Sequence, residues 1–575
     1  MHYTDPQTGL FHVGYLHNGA AGATTDDLVT YTDVNPDDPT FIRAGGKNDP
    51  VAVFDGSVIP SGINGTPTLL YTSVSYLPIH WTIPYTKGSE TQSLAVTYNG
   101  GKYFTKLNQG PVIPGAPYGS VALNVTGFRD PYVFQNAELD RTYRSQNGTW
   151  YVAISGGVHD IGPNQFLYRQ YSPEFRDWEY LGEWWSEPAN STWGLGTWAG
   201  RWGFNWEVGN VFTASEEGYD AEGDFFVTLG AEWGYAPVQP QTSQFREQLW
   251  ASGNISTQRH GGVHFEPSMA GHLDWGMSAY AAAGKLVPAS SQASLRSGAG
   301  DRFVIYLWLT NDHFGDLDFP VVQQGWGSSL TTPRELRRGH IADVVDNDLV
   351  SEVGSWRIVS SNAMAGTVGL STLGQKMVRE ATHAYVSNAT SSFSEVGRTV
   401  VSSPYGAGST IAFSQSPDSR FYMMTASITF PALARGNKSD VKAGFKILSS
   451  EYESTLIYYQ LSNESLIIDR SNSSAAAQST NGIATDNEAG RLRLFDIKGP
   501  AETSSRVETL ELTILVDNGV VEVYANDRFV ISTWVWAWYA TSNQIAFFHE
   551  GPDAVEFGEV KVHEGLVDAW PERSQ

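Results

Sequence analysis

Short strand-like segments separated by turn signals recur along almost the whole chain, and they limit the fold more than any other feature of the sequence. Their apolar, β-branched and aromatic residues lie between clusters of Gly, Asn and Asp. Strand and turn together take roughly 8–12 residues, a spacing typical of all-β sandwiches, barrels and propellers. We therefore predict an all-β protein. The clearest segments span residues 9–17, 51–54, 68–72, 150–155, 225–229 and 303–309.

The pattern changes once, around residues 375–390. Residues 375–384 contain good helix formers and neither Gly nor Pro, which predicts a short connecting helix, or a strand followed by a helix. Farther along the chain, residues 510–524 hold two alternating segments around Asp517-Asn518-Gly519, a strong hairpin signal. The strand pattern therefore continues on both sides of a helical connection.

These features predict two β domains joined by a linker. The first domain spans residues 1–380, the short helical linker spans 381–394, and the second domain spans 395–575. A five-bladed propeller suits the first domain, because about 75 residues per blade accommodate four strands and their loops. Loops of a propeller gather at one end of its central channel, so carboxylates that are distant in sequence can meet there.

The net charge of the chain excludes some classes of partner. The 575 residues carry a formal charge of −25. Nucleic-acid binding depends on clusters of Lys and Arg, and anionic membrane surfaces attract the same residues. We therefore expect neither a nucleic acid nor a membrane as partner, and no apolar run approaches the roughly 18–20 residues that a membrane span requires. Cysteine is absent, which excludes disulfides and Cys-based metal sites.

Nine Asn-x-Ser/Thr sequons in an acidic, Lys-poor chain favour an extracellular, secreted protein. Met1 is followed by His2-Tyr3-Thr4-Asp5, with no charged start and no apolar signal core. We therefore expect that a signal was removed or that the chain is an N-terminal truncation. The sequons stand at Asn64, Asn124, Asn147, Asn190, Asn254, Asn388, Asn437, Asn463 and Asn472.

An Arg and an Asp stand side by side between aromatic residues in the stretch 127–134. Pro131 has no backbone N–H, which places Asp130 at a strand end or a sheet edge. An ionised Asp beside apolar neighbours must be paired or exposed in a cleft, because an unpaired buried charge is costly. A structural ion pair in a surface loop and a functional carboxylate both fit this local pattern.

A second carboxylate with unusual neighbours is Glu207, which lies among Trp, Phe and Gly in residues 202–212. A retaining glycosidase needs two carboxyl groups roughly 5–5.5 Å apart, one as nucleophile and one as acid/base. The acid needs a raised pKa, which apolar walls supply. Glu207 is therefore a candidate acid, and the alternative is a strand carboxylate paired with an Arg such as Arg201.

Other candidates are weaker when each is taken alone. Asp55, Glu232 and Asp274 lie in apolar company, and a structural role explains each of them better. His260 and His264 are four residues apart, but their Gly-rich segment lacks a helical frame, so we expect no metal site. The chain has no Gly-x-Ser-x-Gly elbow, phosphate loop or dinucleotide fingerprint, which leaves serine-based hydrolysis and nucleotide chemistry without support.

Taken together, these motifs resemble glycoside hydrolase family 32, in its fungal β-fructofuranosidase and fructosyltransferase branch. They keep the family order and span almost the whole chain. Val208 stands where the family usually has Cys, and Asp55 stands where it has Ser. The matching stretches are Phe54-Asp55-Gly56-Ser57, Phe128-Arg129-Asp130-Pro131, Trp206-Glu207, Asp274-Trp275-Gly276 with Tyr280-Ala281, Gly325-Trp326 with Pro333-Arg334-Glu335-Leu336, and Val516-Asp517 with Val521-Glu522-Val523-Tyr524-Ala525-Asn526.

The resemblance implies a five-bladed β-propeller followed by a C-terminal β-sandwich. It also implies cleavage or transfer of β-fructofuranosyl units from sucrose or fructo-oligosaccharides with retention, and we expect no cofactor. In this interpretation Glu207 is the general acid/base, and Asp130 stabilises the transition state by hydrogen-bonding hydroxyls of the fructosyl ring. The residues that would line the sugar pocket are Arg129, Asp55, Glu232 and the turn formed by Ile79, His80 and Trp81.

The family nucleophile is an Asp, and its position in this chain is a separate question. Asn48-Asp49-Pro50 has the residue types of the family's nucleophile motif but lies too close to Asp55 in the sequence. Thr4-Asp5-Pro6 is nearer the expected place. Gly9-Leu10-Phe11-His12 resembles the strand that follows the nucleophile, and counting back from it reaches a position just before Met1. We therefore expect that the nucleophile is missing from this chain, with Asp5 as the alternative.

Two other functions stay open at this point. A non-catalytic protein of the same fold would bind sucrose or fructan without turnover. A related five-bladed propeller glycosidase would act on arabinosides, although the sandwich motif and the Trp206-Glu207 pair speak against it. Hydrolysis and transfer are both compatible with these residues.

Overall fold

The computed structural model describes most of the chain. The described residues are 1–117, 124–233, 246–257, 262–310, 322, 325–401, 408–431, 440–480, 482–499 and 504–573. Most regular structure in these ranges is β-strand, so the all-β prediction is confirmed. Among these residues, no helix has both the length and the apolar character needed to cross a membrane.

Five antiparallel sheets form the blades of a β-propeller. Blade one contains Tyr3–Thr4, Phe11–Leu16, Ala20–Thr25, Thr32–Asp33 and Thr40–Ile42. Blade two contains Ala52–Ile59, Thr68–Val74, Glu90–Val96 and Thr105–Lys106. Blade three contains Val125–Gln135, Trp150–Val158, Gly162–Gln170 and Trp178–Ser186. Blade four contains Asn205–Ser215, Gly218–Tyr219, Asp224–Glu232, Arg246–Thr257 and Val263–Asp274.

Blade five is extended by a later part of the chain. Asp496–Ile497 pairs with the long strand Arg334–Val345 and with Arg506–Val507, so both short segments join this sheet. The other strands of blade five are Ala279–Val287, Arg302–Leu309, Ser329–Leu330, Arg357–Asn362 and Thr367–Met377.

The inner strands of the blades surround the central channel. Ala52–Ile59, Val125–Gln135, Asn205–Ser215 and Ala279–Val287 are neighbours in that order, and the last of them also packs against Tyr3–Thr4. The ring therefore brings residues from all parts of the first 290 residues to one axis. Between blades three, four and five, the core is rich in buried tryptophans, namely Trp184, Trp185, Trp202 and Trp206.

Two further sheets pack face to face as a β-sandwich around one apolar core. The first sheet contains Ser391–Glu395, Arg398–Val400, Phe421–Thr429, Leu510–Asp517, Val520–Ala525, Phe529–Trp534, Val555–Phe557 and Val560–Glu564. The second sheet contains Ser409–Ala412, Lys442–Ser449, Thr455–Gln460, Ser465–Asp469, Glu488–Arg491 and Gln544–Glu550. The predicted hairpin is confirmed, since Asp517 pairs with Val520 across a turn in which Asn518 has φ 51°.

Helices are short and few in the described ranges. Strand Thr367–Met377 is followed directly by helix Arg379–Ser387, so of the two readings of residues 375–384 the strand followed by a helix is the observed one. The other α-helices are Ala137–Tyr143 and Gln292–Ser297, and the 3₁₀ turns are Ile63–Gly65, Leu461–Asn463 and Ala475–Gln478.

Arg334 joins the propeller to the sandwich. Its Nη2 lies 2.7 Å from Asp274 Oδ2, 2.7 Å from Ser532 Oγ and 3.4 Å from Glu522 Oε2. The side chains of Arg334 and Asp274 are fully buried, and that of Glu522 is nearly so. Two of the stretches that carried the family resemblance, around Asp274 and Arg334, thus meet a third from the sandwich.

The sequons reach the surface wherever the structure describes them. Asn64, Asn124, Asn147, Asn254, Asn388 and Asn472 are exposed, and Asn190 and Asn463 are partly exposed. Asn437 lies outside the described residues.

Candidate active site

A β-bulge interrupts the inner strand of four blades close to the channel. The pairing shifts between Val53 and Gly56, between Arg129 and Tyr132, between Glu207 and Asn210, and between Tyr280 and Ala283. A bulge leaves a residue outside the ladder and changes the direction of the side chains around it. The bulges lie at or beside Asp55, Asp130, Glu207 and Tyr280.

Three of these bulges contain a non-glycine residue with positive φ. The angles are 59° for Asp130, 45° for Val208 and 47° for Ala281. Left-handed backbone is disfavoured for a β-branched residue such as Val208, and such strain collects at functional sites. The backbone is therefore held in a costly form where the two candidate carboxylates lie.

Pro131 explains why a bulge forms beside Asp130. The strand Val125–Gln135 lies at the inner edge of its sheet and continues on both sides of Pro131. The edge position predicted from the sequence is observed, whereas Asp130 lies within the strand and not at its end. A missing N–H is tolerated at a bulge on an edge strand because no ladder hydrogen bond is lost there.

Arg129 is the electrostatic centre of the site. Its Nη1 lies 3.0 Å from Glu90 Oε1, and its Nη2 lies 2.7 Å from Glu207 Oε1 and 3.2 Å from Glu232 Oε2. Its Nε donates a second hydrogen bond of 3.0 Å to the same oxygen of Glu207. One buried guanidinium therefore holds three glutamates from two blades in fixed positions.

Glu207 is paired with Arg129 and not with the predicted alternative Arg201. Its second oxygen, Oε2, accepts a hydrogen bond of 2.8 Å from the hydroxyl of Tyr280. Burial raises its pKa, but the charges of Arg129 and Arg246 and the hydrogen bond from Tyr280 outweigh burial, so the pKa is lowered overall. The raised pKa expected from apolar walls is wrong for the free protein, because the walls also contain two arginines.

Asp130 sits next to Asp55 at the axis. Its Oδ2 accepts a hydrogen bond of 3.0 Å from the backbone N–H of Val208, and its own N–H donates to Thr72 Oγ1 at 2.9 Å. Burial and the neighbouring charge of Asp55 raise its pKa well above the ordinary range. Burial also raises the pKa of Asp55, against the opposing charge of the Met1 amino group. Burial therefore shifts the pKa of both carboxyl groups upward.

Glu232 is the fourth predicted acidic residue at this site. Burial and the charge of Glu207 raise its pKa to about 7, although Arg129 opposes the shift. Asn205 donates a hydrogen bond of 2.9 Å to its Oε2. Glu207 and Glu232 thus share one arginine while their pKa values are shifted in opposite directions, which is the arrangement expected of groups that exchange roles in proton transfer.

The turn at residues 79–81 lies at the edge of this group. The pKa of His80 is lowered by burial and by the charge of Arg129, and its Nδ1 lies 2.7 Å from Thr82 Oγ1. Trp81 stacks on Phe204 with ring centroids 4.0 Å apart. Ile79 is half-buried beside them. Aromatic and polar side chains therefore flank the carboxylates.

The first residue of the chain reaches the catalytic axis. Met1 and His2 line a small cavity together with Asp55, Asp130 and Lys285. The amino group of Met1 is buried there, and its pKa is lowered by burial and raised by the charge of Asp55. The N-terminal residues of blade one therefore border the candidate carboxylates.

The two Asp residues considered as nucleophile lie elsewhere. Asp5 Oδ1 accepts hydrogen bonds from the backbone of Gln7 at 2.7 Å and Thr8 at 3.3 Å, which is a turn-forming role. Asp49 is fully buried and accepts hydrogen bonds from Tyr71 and Lys106. Neither residue lines the cavity at Asp130.

Several residues of the site were not predicted from the sequence. Glu90 and Arg246 both stand among polar residues, so no local signal marked them. Tyr280 was noticed only as part of a motif. Lys285 lies in a segment with apolar neighbours, as many strand residues do. Its burial arises only when the blades are assembled into the ring, so the sequence did not indicate it. Its Nζ donates hydrogen bonds of 2.8 Å to Ser57 Oγ and to the Val133 carbonyl.

The described residues contain no group of three or more His, Asp or Glu side chains arranged to hold a metal ion. His260 lies outside the described residues, so the His260–His264 pair has no described geometry.

Two family models together match most of the chain. The family profile "Glycosyl hydrolases family 32 N-terminal domain" matches residues 11–351, and "Glycosyl hydrolases family 32 C terminal" matches residues 362–564. No curated protein sequence matches the chain.

Solved structures provide close relatives. A β-fructofuranosidase of Aspergillus kawachii, complexed with glycerol, is 56% identical with a TM-score of 0.94, covering 100% of this chain and 93% of that one. A fructosyltransferase from A. japonicus is 52% identical with a TM-score of 0.93 and the same coverage. A fructan 1-exohydrolase from Cichorium intybus, at 15% identity and a TM-score of 0.62, covering 98% of this chain and 94% of that one, shares the fold.

Proposed function

The chain belongs to glycosyl hydrolase family 32 and is a glycosidase of the β-fructofuranosidase and fructosyltransferase type, and from this premise we propose that it cleaves sucrose or short fructo-oligosaccharides with retention. The observation that supports this proposal most strongly is the buried group of Asp130, Glu207 and Glu232 around Arg129. The fructosyl unit is passed to water or to a second sugar.

Glu207 acts as the general acid/base in this proposal. Tyr280 and Arg129 fix both of its oxygens, so the carboxyl group is oriented before substrate arrives. About one fifth of its side chain, 19%, is exposed to water. A bound sugar displaces that water, and desolvation raises the pKa of Glu207 toward the protonated form that the first step needs. Glu232, which shares Nη2 of Arg129 with Glu207, can supply the proton.

Asp130 orients the fructosyl ring. The N–H of Val208 holds one carboxyl oxygen, and the other can accept hydrogen bonds from ring hydroxyls. These bonds gain strength as positive charge develops on the ring in an oxocarbenium-like transition state. Asp55 beside it binds a further hydroxyl, and Trp81 with His80 borders the sugar at the mouth.

The experiment that tests this function follows the conversion of sucrose by ¹H NMR. It compares the chain as it stands with a form in which Gly-Asp-Pro is added before Met1 to supply a candidate nucleophilic Asp. We expect glucose release and β-fructofuranose, or a β-linked transfer product, as the first fructosyl species, because two inversions give retention. First-formed α-fructose contradicts the proposal. Saturable sucrose binding with no turnover in either form supports the non-catalytic alternative instead.

The nucleophile in this proposal is an Asp that has to stand beside Asp130, at the cavity that Met1 and His2 line. The support is geometric: Met1 lies at the cavity beside Asp130, whereas Asp5 and Asp49 are engaged elsewhere. Fungal members of the family carry Gly-Asp-Pro just upstream of a stretch that resembles residues 2–6.

We expect the nucleophile to be trapped as a covalent fructosyl adduct. In a chain with Gly-Asp-Pro before Met1 and the substitution Glu207→Gln, fructosyl fluoride can form the adduct, but its hydrolysis is slow because the general base is absent. Peptide mapping by mass spectrometry should place the added fructosyl mass on the new Asp. A matched Gly-Asn-Pro extension should give no adduct, and an adduct on Asp5 contradicts the assignment.

A further inference from the structure

Three exposed aromatic side chains lie together on the β-sandwich. Tyr452, Trp538 and Tyr539 are 56%, 46% and 40% exposed. The rings of Tyr452 and Tyr539 have centroids 5.0 Å apart and planes inclined by 43°. We call these three residues the aromatic ledge. Exposed aromatic groups of this kind mark binding surfaces more often than scattered single residues do.

One buried carboxylate fixes the backbone of the ledge. Glu453, directly after Tyr452, is 1% exposed. Its Oε2 accepts a hydrogen bond from the N–H of Trp538 at 2.9 Å, and its Oε1 accepts one from the N–H of Tyr539 at 2.8 Å. The same carboxylate also accepts hydrogen bonds from Ala475 N at 2.7 Å and Ser542 Oγ at 2.5 Å. A single group thus ties both loops of the ledge together.

Arg420 holds the opposite side of the same loop. Its Nη1 donates to the Ala537 carbonyl at 2.7 Å, and its Nη2 donates to the Tyr539 carbonyl. The backbone on either side of Trp538 is therefore fixed through both donors and acceptors. A backbone held in this way loses little freedom when a ligand stacks on its rings, which is the advantage of preorganisation.

The chemistry of the ledge favours a neutral ligand of modest size. Glu451 hydrogen-bonds the hydroxyl of Tyr452, and the whole chain carries a charge of −25, so an anionic polymer would be repelled. Three side chains are too few for a protein interface, which needs about 800 Å² on each partner. Aromatic faces with polar groups at their edges suit sugar rings, which present apolar C–H faces and peripheral hydroxyls.

We propose that the aromatic ledge is a non-catalytic binding site for a neutral oligosaccharide or polysaccharide. Its residues come from the sandwich, whereas the candidate catalytic residues come from the propeller, so the two sites consist of different residues. The ledge holds a polymer while the propeller acts on free chain ends or on small sugars. This inference does not depend on the proposed catalytic function.

The test is native affinity electrophoresis of the whole chain in gels that contain soluble inulin, soluble β-glucan or no polysaccharide. The two polymers distinguish a fructan from a glucan as the ligand, and excess sucrose in the inulin gel saturates the propeller site. We expect retardation in at least one polymer gel. Trp538→Ala and the milder Tyr452→Ser should each weaken binding by about tenfold or more, read from the polymer concentration that gives half-maximal retardation.

Tyr98→Ala is the matched control, because Tyr98 is an exposed tyrosine of blade two, outside the ledge and 69% exposed. It should leave retardation unchanged. The ledge variants should keep the wild-type melting temperature and the wild-type rate on sucrose. Absence of retardation in both polymer gels, or retardation that survives both ledge substitutions, overturns the proposal. So does a concentration-dependent dimer in sedimentation that the ledge substitutions abolish, since the occupant would then be a second copy.

Discussion

Replacing Glu207 by Gln is expected to lower kcat on sucrose by about 10²–10⁴-fold, the usual contribution of a general acid/base. The substitution keeps the shape of the side chain and its hydrogen bond with Tyr280, but it removes the transferable proton. The measurement is glucose release by the chain that carries Gly-Asp-Pro before Met1. The fall of kcat at high pH should also disappear, because the substrate complex needs the acid protonated and loses activity as pH rises through the pKa of that acid.

Two comparisons separate this role from simple damage to the site. Fructosyl fluoride needs no proton to release its leaving group, so the first step with this substrate should be much less impaired by Glu207→Gln. Glu216→Gln is the matched control, since Glu216 lies in the same blade and pairs with Arg338 at 3.0 Å outside the site. Equal losses on sucrose and fructosyl fluoride would contradict the assignment of Glu207 as the acid.

The second large effect is expected in stability, at the contact between propeller and sandwich. Arg334→Met removes the only positive group that Asp274 and Glu522 contact through an ion pair among the described residues. Two buried carboxylates are then left without their partner, which costs roughly 3–5 kcal/mol. Denaturant unfolding should show this loss, and the propeller and sandwich should begin to unfold in separate steps.

Arg337→Met provides the control for that experiment. Arg337 is three residues along the same strand, and its ion pair with Asp527 is 3.2 Å long but solvent-exposed. Exposed pairs contribute about 1 kcal/mol or less, so this variant should unfold nearly as the parent does. If Arg334→Met also unfolds like the parent in one step, the buried pair does not couple the two parts of the chain.

Strand periodicity and turn chemistry predicted much of the fold. The alternation in residues 510–524 and the Asn518-Gly519 turn locate a hairpin because strand period and turn type are local properties. Residues 375–384 were ambiguous for the opposite reason. The strand that ends at Met377 is determined by its distant partner strand Arg334–Val345 and not by its own helix formers.

The site was less accessible to sequence reasoning, because its properties arise between blades. Phe128-Arg129-Asp130-Pro131 and Trp206-Glu207 drew attention through their unusual neighbours, and the structure brings them into contact. The direction of the pKa shift of Glu207 could not be foreseen, since it depends on Arg129 from blade three and Arg246 from another strand. No local sequence signal pointed to Glu90, although its carboxylate forms an ion pair with Arg129.

The repeated bulges have a consequence for how such a chain can change. A residue released from the ladder at the inner edge of a blade contributes little to the cohesion of the sheet, yet at Asp130 and Val208 it lines the cavity. Each blade from two to five thus has one bulge on its inner strand at which the residue can be exchanged, and Asp130 and Val208 occupy two of these bulges. Substitutions at these bulges can therefore change the chemistry of the site one blade at a time, while the strands that carry the bulges stay the same.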